Sequence, residues 1–205
     1  APSQADSFAG RPACQEQFTR IWPQMVAAQP ADVAYRRLYY YLHKLVDQAI
    51  GRILDALDAS GMADDTVIVF TSDHGDLLGA HGGLQQKWAN AFDEAVRVPM
   101  IVKGPGVLPV DGGISMPTSH VDLLPTLMGL AGIDPELATA ELTRSHTEAR
   151  TLPGRDLSGL LGGSTRVDML ASPIYFMTED QVTKGLTQQN VLTGEQRVLK
   201  IFRQV

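Results

Sequence analysis

The feature that most constrains the fold is a run of β-branched and aromatic residues at 66–71, which ends in a polar, glycine-rich loop. Uninterrupted apolar runs of this kind are typical of central strands buried on both faces of a parallel sheet. A second apolar run at 98–102 precedes a Gly-Pro-Gly turn and predicts another strand. The connection between the two runs is long enough for parallel pairing, so we expect neighbouring strands of a mostly parallel sheet.

Two helices are predicted beside these strands. Apolar residues recur at steps of three and four from Tyr35 up to Gly61, which predicts a helix over 36–60 packed on one face of the sheet. A later helix is predicted to run to Leu130, with Thr118 or Ser119 as its N-cap. The fold class is therefore α/β, part of a mostly parallel sheet flanked by helices, with a small C-terminal β-containing segment.

The chain divides into three predicted regions. Residues 1–34 are rich in proline and form a loosely structured N-terminal segment with one short helix, residues 35–132 form the α/β domain, and residues 133–205 form an irregular connection followed by C-terminal strands. Within the last region we expect a helical turn at 157–161, a strand at 174–177 and a hairpin over 188–202 about residues 193–195.

Charge and cysteine content exclude several classes of function. Lys and Arg number 17 against 23 Asp and Glu, so a net charge of −6 leaves no broad basic surface for nucleic acid. No apolar stretch approaches the roughly 20 residues of a membrane helix, and we expect a soluble chain, cytoplasmic or periplasmic. A single cysteine, Cys14, excludes a disulfide within the chain.

The polar residues that follow the first predicted strand carry the strongest chemical signal. Asp73 and His74 stand where open α/β sheets bind ligands, at the carboxyl end of a strand. A carboxylate oxygen and an imidazole nitrogen are ligands for divalent cations, and Gly75 permits the sharp turn that both side chains need to reach one ion. The alternative is a pair of turn or capping residues.

Three longer motifs surround this pair: LLGAHGGLQQKW at 77–88, EAVRVPMIV at 94–102 and SHVDLLPT at 119–126. Together with the Asp-His pair they resemble the sulfatases of the alkaline-phosphatase superfamily, in the branch that includes choline-sulfatase-like and phosphonate monoester hydrolase-like enzymes. The resemblance covers residues 35–132 closely and extends less surely to about residue 185. Its most specific element is a strand ending in Thr-Ser-Asp-His-Gly with a lysine 13 residues after the histidine.

The resemblance implies a metal-dependent hydrolase of small sulfate or phosphate esters on an alkaline-phosphatase-like sheet. Asp73 and His74 would be two of the metal ligands, with Ca²⁺ the expected ion and Mn²⁺ or Zn²⁺ admitted by the imidazole. Lys87 would contact the oxyanion of the substrate, where a preorganised cation stabilises developing charge. A solvated loop lysine is the alternative reading of Lys87.

Other polar residues of these motifs have two possible roles each. His81 is a candidate catalytic residue that lines the pocket, and His120 a weaker one, although histidines in such positions often bond the backbone instead. Asp76 either orients His74 or faces water. Glu94 and Arg97 are expected to make structural polar contacts ahead of the second strand.

The nucleophile of the family is missing from this sequence. Sulfatases use a formylglycine made within a Cys-x-Pro-x-Arg type motif, whereas Cys14 is followed by Gln-Glu-Gln-Phe. The paired aspartates that begin the metal site are missing as well. We therefore expect the C-terminal portion of a sulfatase, inactive alone, with the nucleophile outside this chain.

Two alternatives stay open on the sequence alone. A phosphonate monoester or phosphodiester hydrolase of the same superfamily would keep the Asp-His pair, and a substrate panel would separate it from a sulfatase. A non-catalytic metal-binding domain is the other, which an upstream Cys-x-Pro-x-Arg motif would exclude. The oligomeric state is not indicated.

Overall fold

A computed structural model describes residues 2–25, 32–87, 90–107, 115–163 and 173–176, together with two C-terminal strands. The chain forms two compact units, and each is described separately below. The first unit comprises Ala1–Ser60, Thr71–Met100 and Phe176–Val205, and the second comprises Gly61–Phe70 and Ile101–Tyr175. None of the described helices is both long and apolar enough to cross a membrane.

The described part of the first unit contains four α-helices and one short 3-10 helix. The 3-10 helix spans Pro2–Ala5, and the α-helices are α1 (Ala13–Met25), α2 (Val33–Ser60), α3 (Ala80–Gly83) and α4 (Asp93–Val96). The helix predicted over 36–60 is confirmed as α2. It begins where the Asp32 carboxylate accepts a hydrogen bond from the Ala34 N–H at 2.8 Å and ends before Gly61, whose φ is 74°.

The apolar stripe of α2 is not buried as predicted. No residue of this helix is buried, and its large apolar side chains, such as Leu38 and Ile53, are exposed. Periodicity identified the helix correctly because spacing determines which residues share a face. The spacing of apolar residues does not determine whether another helix or strand covers that face.

The core of the first unit lies under the glycine-rich loop rather than under α2. Five buried apolar residues form it, and the partly buried rings of Phe8 and Phe92 pack against them. The five are Phe18, Leu77, Ala80, Leu84 and Ala95. The segment 1–34, predicted to be loosely structured, thus holds two helices and one core residue, because its aromatic side chains pack against the loop.

The two predicted strands are neighbours in one sheet, as expected. They are β1 (Ile68–Thr71) and β2 (Met100–Lys103), each a little shorter than the apolar run that predicted it. Within the described residues this sheet has two strands, and no residue of either is buried, in contrast to the prediction of a strand covered on both faces. A mixed α/β arrangement is therefore present.

The described part of the second unit has two 3-10 helices, at Ala63–Asp65 and His120–Asp122, and three α-helices, α5 (Leu123–Leu130), α6 (Pro135–Leu142) and α7 (Ser158–Leu161). The predicted start at Ser119 is confirmed, since its backbone N–H donates to the Asp122 carboxylate at 3.0 Å in a capping box. The predicted turn near 157–161 is confirmed as α7.

The connection predicted as irregular at 133–155 contains α6, which is a correction. Asp134 caps this helix by accepting hydrogen bonds from Glu136 N–H at 2.8 Å and Leu137 N–H at 3.2 Å, and Pro135 occupies its first turn. The Asp-Pro-Glu sequence is a recognised helix start, so the signal was present.

An ion pair between the buried Asp122 and the half-buried Arg155 links two segments of the second unit. The Asp122 carboxylate accepts from Arg155 Nη2 at 2.7 Å and from the Arg155 backbone N–H at 2.8 Å, and Arg155 Nη2 also donates to the Pro117 carbonyl at 2.9 Å. Burial raises the pKa of Asp122, but the Arg155 hydrogen bonds outweigh it and leave that pKa below its ordinary value.

The C-terminal hairpin is confirmed in its pairing. Strand β3 (Leu186–Gln189) pairs antiparallel with β4 (Gln196–Leu199), so that Leu186 lies opposite Leu199. The predicted turn at 193–195 lies outside the described residues. The predicted strand at 174–177 is not present over 174–176, and Met177 lies outside the described residues.

Candidate functional site

Asp73 and His74 lie together at the end of β1. The Asp73 carboxylate is 83% exposed, and its Oδ2 is 3.4 Å from Nε2 of His74. The other ring nitrogen, Nδ1, is 2.7 Å from the Gly75 carbonyl oxygen. Because a carbonyl only accepts, Nδ1 carries the proton, and in the neutral ring the lone pair of Nε2 faces the Asp73 side.

Local hydrogen bonds and charges keep Asp73 ionised. Burial raises the pKa of this carboxyl. The His74 backbone N–H, 2.9 Å from Oδ1, and nearby positive charges including Lys87 lower it by more than burial raises it. The pKa of Asp73 is therefore below its ordinary value. The Lys87 ammonium therefore acts electrostatically on the carboxylate that precedes it by 14 residues.

Gly75 is needed for a close approach of two backbone segments. Its N–H donates to the Ala95 carbonyl at 2.9 Å, and a Cβ at this position would lie 2.0 Å from the Glu94 carbonyl oxygen. The sequence suggested glycine here for a sharp turn. The structure shows that the missing side chain lets the residue after His74 pack on the segment before β2.

Asp76 organises the loop rather than orienting His74. Its Oδ1 accepts hydrogen bonds from the Leu78 N–H at 2.8 Å and the Gln86 N–H at 3.1 Å. The Leu77 N–H donates to the Gln86 carbonyl at 2.9 Å, which closes residues 77–86 into a loop. Of the two roles considered for Asp76, neither the bond to His74 nor simple solvation describes it.

Three non-glycine residues of this loop adopt the left-handed backbone region. They are Leu78 with φ 44°, His81 with φ 51° and Gln86 with φ 56°. Such conformations cost of the order of 1–3 kcal/mol each and cluster at functional sites. Residue type alone carries little signal for them, so the sequence could not locate this strain.

His81 does not present a ring nitrogen to a substrate in this arrangement. Nδ1 is 3.0 Å from Oδ2 of Asp6, and Nε2 is 3.0 Å from Oε2 of Glu94. The ring also stacks on Phe92 at 3.8 Å between centroids. Asp6 and its ion-pair partner Arg11, 3.1 Å away, were not predicted, because nothing in the N-terminal sequence marks them as neighbours of His81.

Two tyrosines of α2 have raised pKa values. Burial raises the pKa of Tyr35 and of Tyr39, and the negative charge of Asp76 raises both further.

The remaining candidates lie elsewhere. His120 is exposed at the first position of the 3-10 helix in the second unit. Arg97 lies 3.9 Å from Asp93, a loose surface pair consistent with the structural contact expected of it. Among the described residues, no group of three or more His, Cys, Asp or Glu could hold a metal ion. A metal ion bound by Asp73 and His74 would need further ligands from outside this group.

The profile of the family described as Sulfatase matches residues 2–133, which is more than half of the chain and includes the whole loop. The chain belongs to the sulfatase family. This membership confirms the resemblance to the sulfatases of the alkaline-phosphatase superfamily that the motifs around Asp73 and His74 indicated.

This sulfatase chain matches only part of the length of individual sulfatases. It is 34% identical over 151 residues to "Uncharacterized sulfatase YidJ" of Escherichia coli K12, covering 71% of this chain and 28% of that protein. It is 42% identical over 104 residues to "Choline-sulfatase" of Rhizobium meliloti, covering 49% of this chain and 19% of that protein. The chain therefore spans less than a third of the length of each of these relatives.

A solved complex of a protein with its substrate D-glucosamine-2-N,6-O-disulfate is 29% identical to this chain. The match covers 60% of this chain and 22% of that protein, with a TM-score of 0.44.

Proposed function

We propose that this chain is part of a metal-dependent sulfate ester hydrolase, in which Asp73 and His74 hold a divalent cation and Lys87 contacts the sulfate group. The observation that supports this best is the hydrogen bond from His74 Nδ1 to the Gly75 carbonyl at 2.7 Å. A metal-ligating histidine commonly anchors its second nitrogen in this way, which fixes the tautomer and aims the first nitrogen at the ion.

The donor set suits a divalent cation. Asp73 offers an ionised, exposed carboxylate, and His74 Nε2 lies 3.4 Å from it, so both atoms can face one ion. Ca²⁺ is the ion that the resemblance implies, and the imidazole also suits Mn²⁺ or Zn²⁺. When bound, the cation would supply Lewis-acid stabilisation of sulfate oxygens.

Lys87 is proposed to stabilise negative charge on the sulfate as the ester bond breaks. Its positive charge is one of the causes that lower the pKa of the Asp73 carboxyl. The backbone of the preceding residue, Gln86, is fixed at both its N–H and its carbonyl by the loop. A cation held in place before the reaction stabilises developing charge without a reorganisation cost.

The nucleophile is proposed to be a formylglycine outside this chain. This chain spans 28% and 19% of the two relatives named above, which leaves room in such proteins for the residues it lacks. The Escherichia coli and Rhizobium meliloti relatives are both sulfatases by name, which favours sulfate over phosphonate or phosphodiester substrates.

The test separates metal binding from substrate contact in the complete protein that carries this chain. Asp73→Asn and His74→Ala should lower bound metal, measured by mass spectrometry after gel filtration, with partial recovery of activity in excess metal. Lys87→Ala should keep its metal and lose roughly 10²–10³-fold in kcat/KM for an aryl sulfate. Asp58→Asn, an exposed carboxylate on α2, is the matched control. Unchanged metal content in both ligand variants would reject the proposed site.

A further inference from the structure

His81 is held by two carboxylates from distant parts of the chain. Asp6 precedes it by 75 residues and Glu94 follows it by 13, and each places an oxygen 3.0 Å from a different ring nitrogen. Each ring nitrogen thus has its own carboxylate partner, and the imidazole bridges two segments that are distant in sequence. The side chain is only 17% exposed, which limits competition from water.

Arg11 belongs to the same cluster of side chains. Arg11 Nη2 is 3.1 Å from the same Asp6 oxygen, and the Arg11 guanidinium lies 5.2 Å from the centroid of Phe92, the ring on which His81 stacks. The positive charge of Arg11 therefore lies beside one of the two carboxylates that hold His81. The hydrogen bond from His81 lowers the pKa of Asp6, and for Glu94 its own backbone N–H and then His81 lower the pKa.

This cluster joins three segments of the first unit, and two of them are linked to the Asp73–His74 pair. Asp6 follows the N-terminal 3-10 helix, His81 lies in the loop 77–86, and Glu94 lies in α4. The backbone of Glu94 and Ala95 packs directly on Gly75, the residue that fixes His74. The same loop ends at Gln86, immediately before Lys87.

We propose that His81 is a positioning residue: by bridging Asp6 and Glu94, it fixes the loop that carries Lys87 relative to the Asp73–His74 pair. This rests on the proposed function, because it takes Lys87 to be the oxyanion contact. It replaces the expectation that His81 itself meets the substrate, since both its nitrogens are bonded within the protein. The left-handed conformation at His81 is then maintained by the two carboxylates.

The first test needs no enzymatic activity. In the 205-residue chain, the Lys87 amide resonance is followed in ¹H–¹⁵N NMR spectra. His81→Gln, Asp6→Asn and Glu94→Gln should each move this resonance, because each removes a partner of the bridge. A Lys87 amide resonance unchanged in all three variants would overturn the proposal even if the protein is an active sulfatase.

The second test is a double-mutant cycle on kcat/KM in the complete protein. His81→Gln should lower kcat/KM by about 10- to 100-fold with metal content unchanged. In a Lys87→Ala background the same change should cost about twofold or less, because its effect passes through Lys87. Fully additive losses would mean that His81 acts on the substrate independently of Lys87, and would reject the positioning role.

Two controls separate positioning from loss of stability. Leu157→Ala removes a buried side chain from the second unit, and His43→Gln removes an exposed imidazole from α2. Both should retain wild-type kcat/KM per folded molecule. If Leu157→Ala lowers kcat/KM as His81→Gln does, the effect of His81 is general destabilisation and the proposal fails.

Discussion

The longest helix and the glycine-rich loop contrast in how they are stabilised. Helix α2 has 28 residues and a regular apolar stripe, yet none of its residues is buried. The loop 77–86 forms no regular long helix, yet it supplies Leu77, Ala80 and Leu84 to the core. The regular spacing of apolar residues thus predicts the helix α2 but not the burial of its side chains. The buried side chains belong instead to an irregular loop whose backbone is held by hydrogen bonds.

The largest effect should come from truncating the loop's core residue. Leu84 is 2% exposed, so Leu84→Ala should lower the free energy of unfolding by about 2–5 kcal/mol, measured by urea denaturation. Leu38→Ala on the exposed face of α2 is the matched control and should change it by under about 0.5 kcal/mol. Equal losses would contradict the contrast between loop and helix.

Adding one methyl group at two glycines should give opposite signs. Gly75→Ala places a Cβ 2.0 Å from the Glu94 carbonyl oxygen and should destabilise the fold by about 1–3 kcal/mol. Gly51→Ala, in α2 with nothing within 4 Å of the new atom, should stabilise it by about 0.5–1 kcal/mol. Thermal unfolding of both variants measures this, and a neutral Gly75→Ala would show that the close approach is not required.

Removing the carboxylate that closes the loop should have a local effect. Asp76→Ala leaves the Leu78 and Gln86 N–H groups without their acceptor and should cost about 1–3 kcal/mol. Amide hydrogen exchange should accelerate at these two residues and not along α2. Unchanged protection at both would assign the closure of the loop to its backbone bonds alone.

The smallest effect expected is on acid stability. The pKa values of Asp6 and Glu94 in the folded state lie below the ordinary 3.8 and 4.5, so their contribution is present above those values and is lost as pH falls below them. The urea midpoint of the wild type should therefore fall as pH drops from about 5, and Asp6→Asn with Glu94→Gln should flatten that slope. Asp58→Asn should follow the wild type, and a flattened profile there would point to a general charge effect.

Local signals predicted much of the secondary structure. The run ending at Thr71 gave a strand, the spacing up to Gly61 predicted α2, and Ser119 began a helix, because each depends on residues a few positions apart. Helix α6 was not predicted, although Asp134 and Pro135 form a typical helix start. Burial was predicted less well, since the covering of α2 or of β1 depends on elements distant in sequence.

The candidate site divides in the same way. The Asp73–His74 pair was identified because it follows a strand directly, and the structure places the two side chains side by side. The contact of His81 with Asp6 joins residues 75 positions apart, and no pattern at either position predicts it. The metal-binding role of the pair and the role of Lys87 stay predictions.

Anomalous X-ray diffraction from crystals of the complete protein grown with Mn²⁺ tests the metal-binding role most directly. The expected result is an anomalous peak within about 2.0–2.6 Å of both Asp73 Oδ2 and His74 Nε2. The peak should disappear in Asp73→Asn crystals and persist in Lys87→Ala crystals. A metal bound elsewhere, with His74 Nε2 hydrogen-bonded to a protein group, would contradict the proposed site.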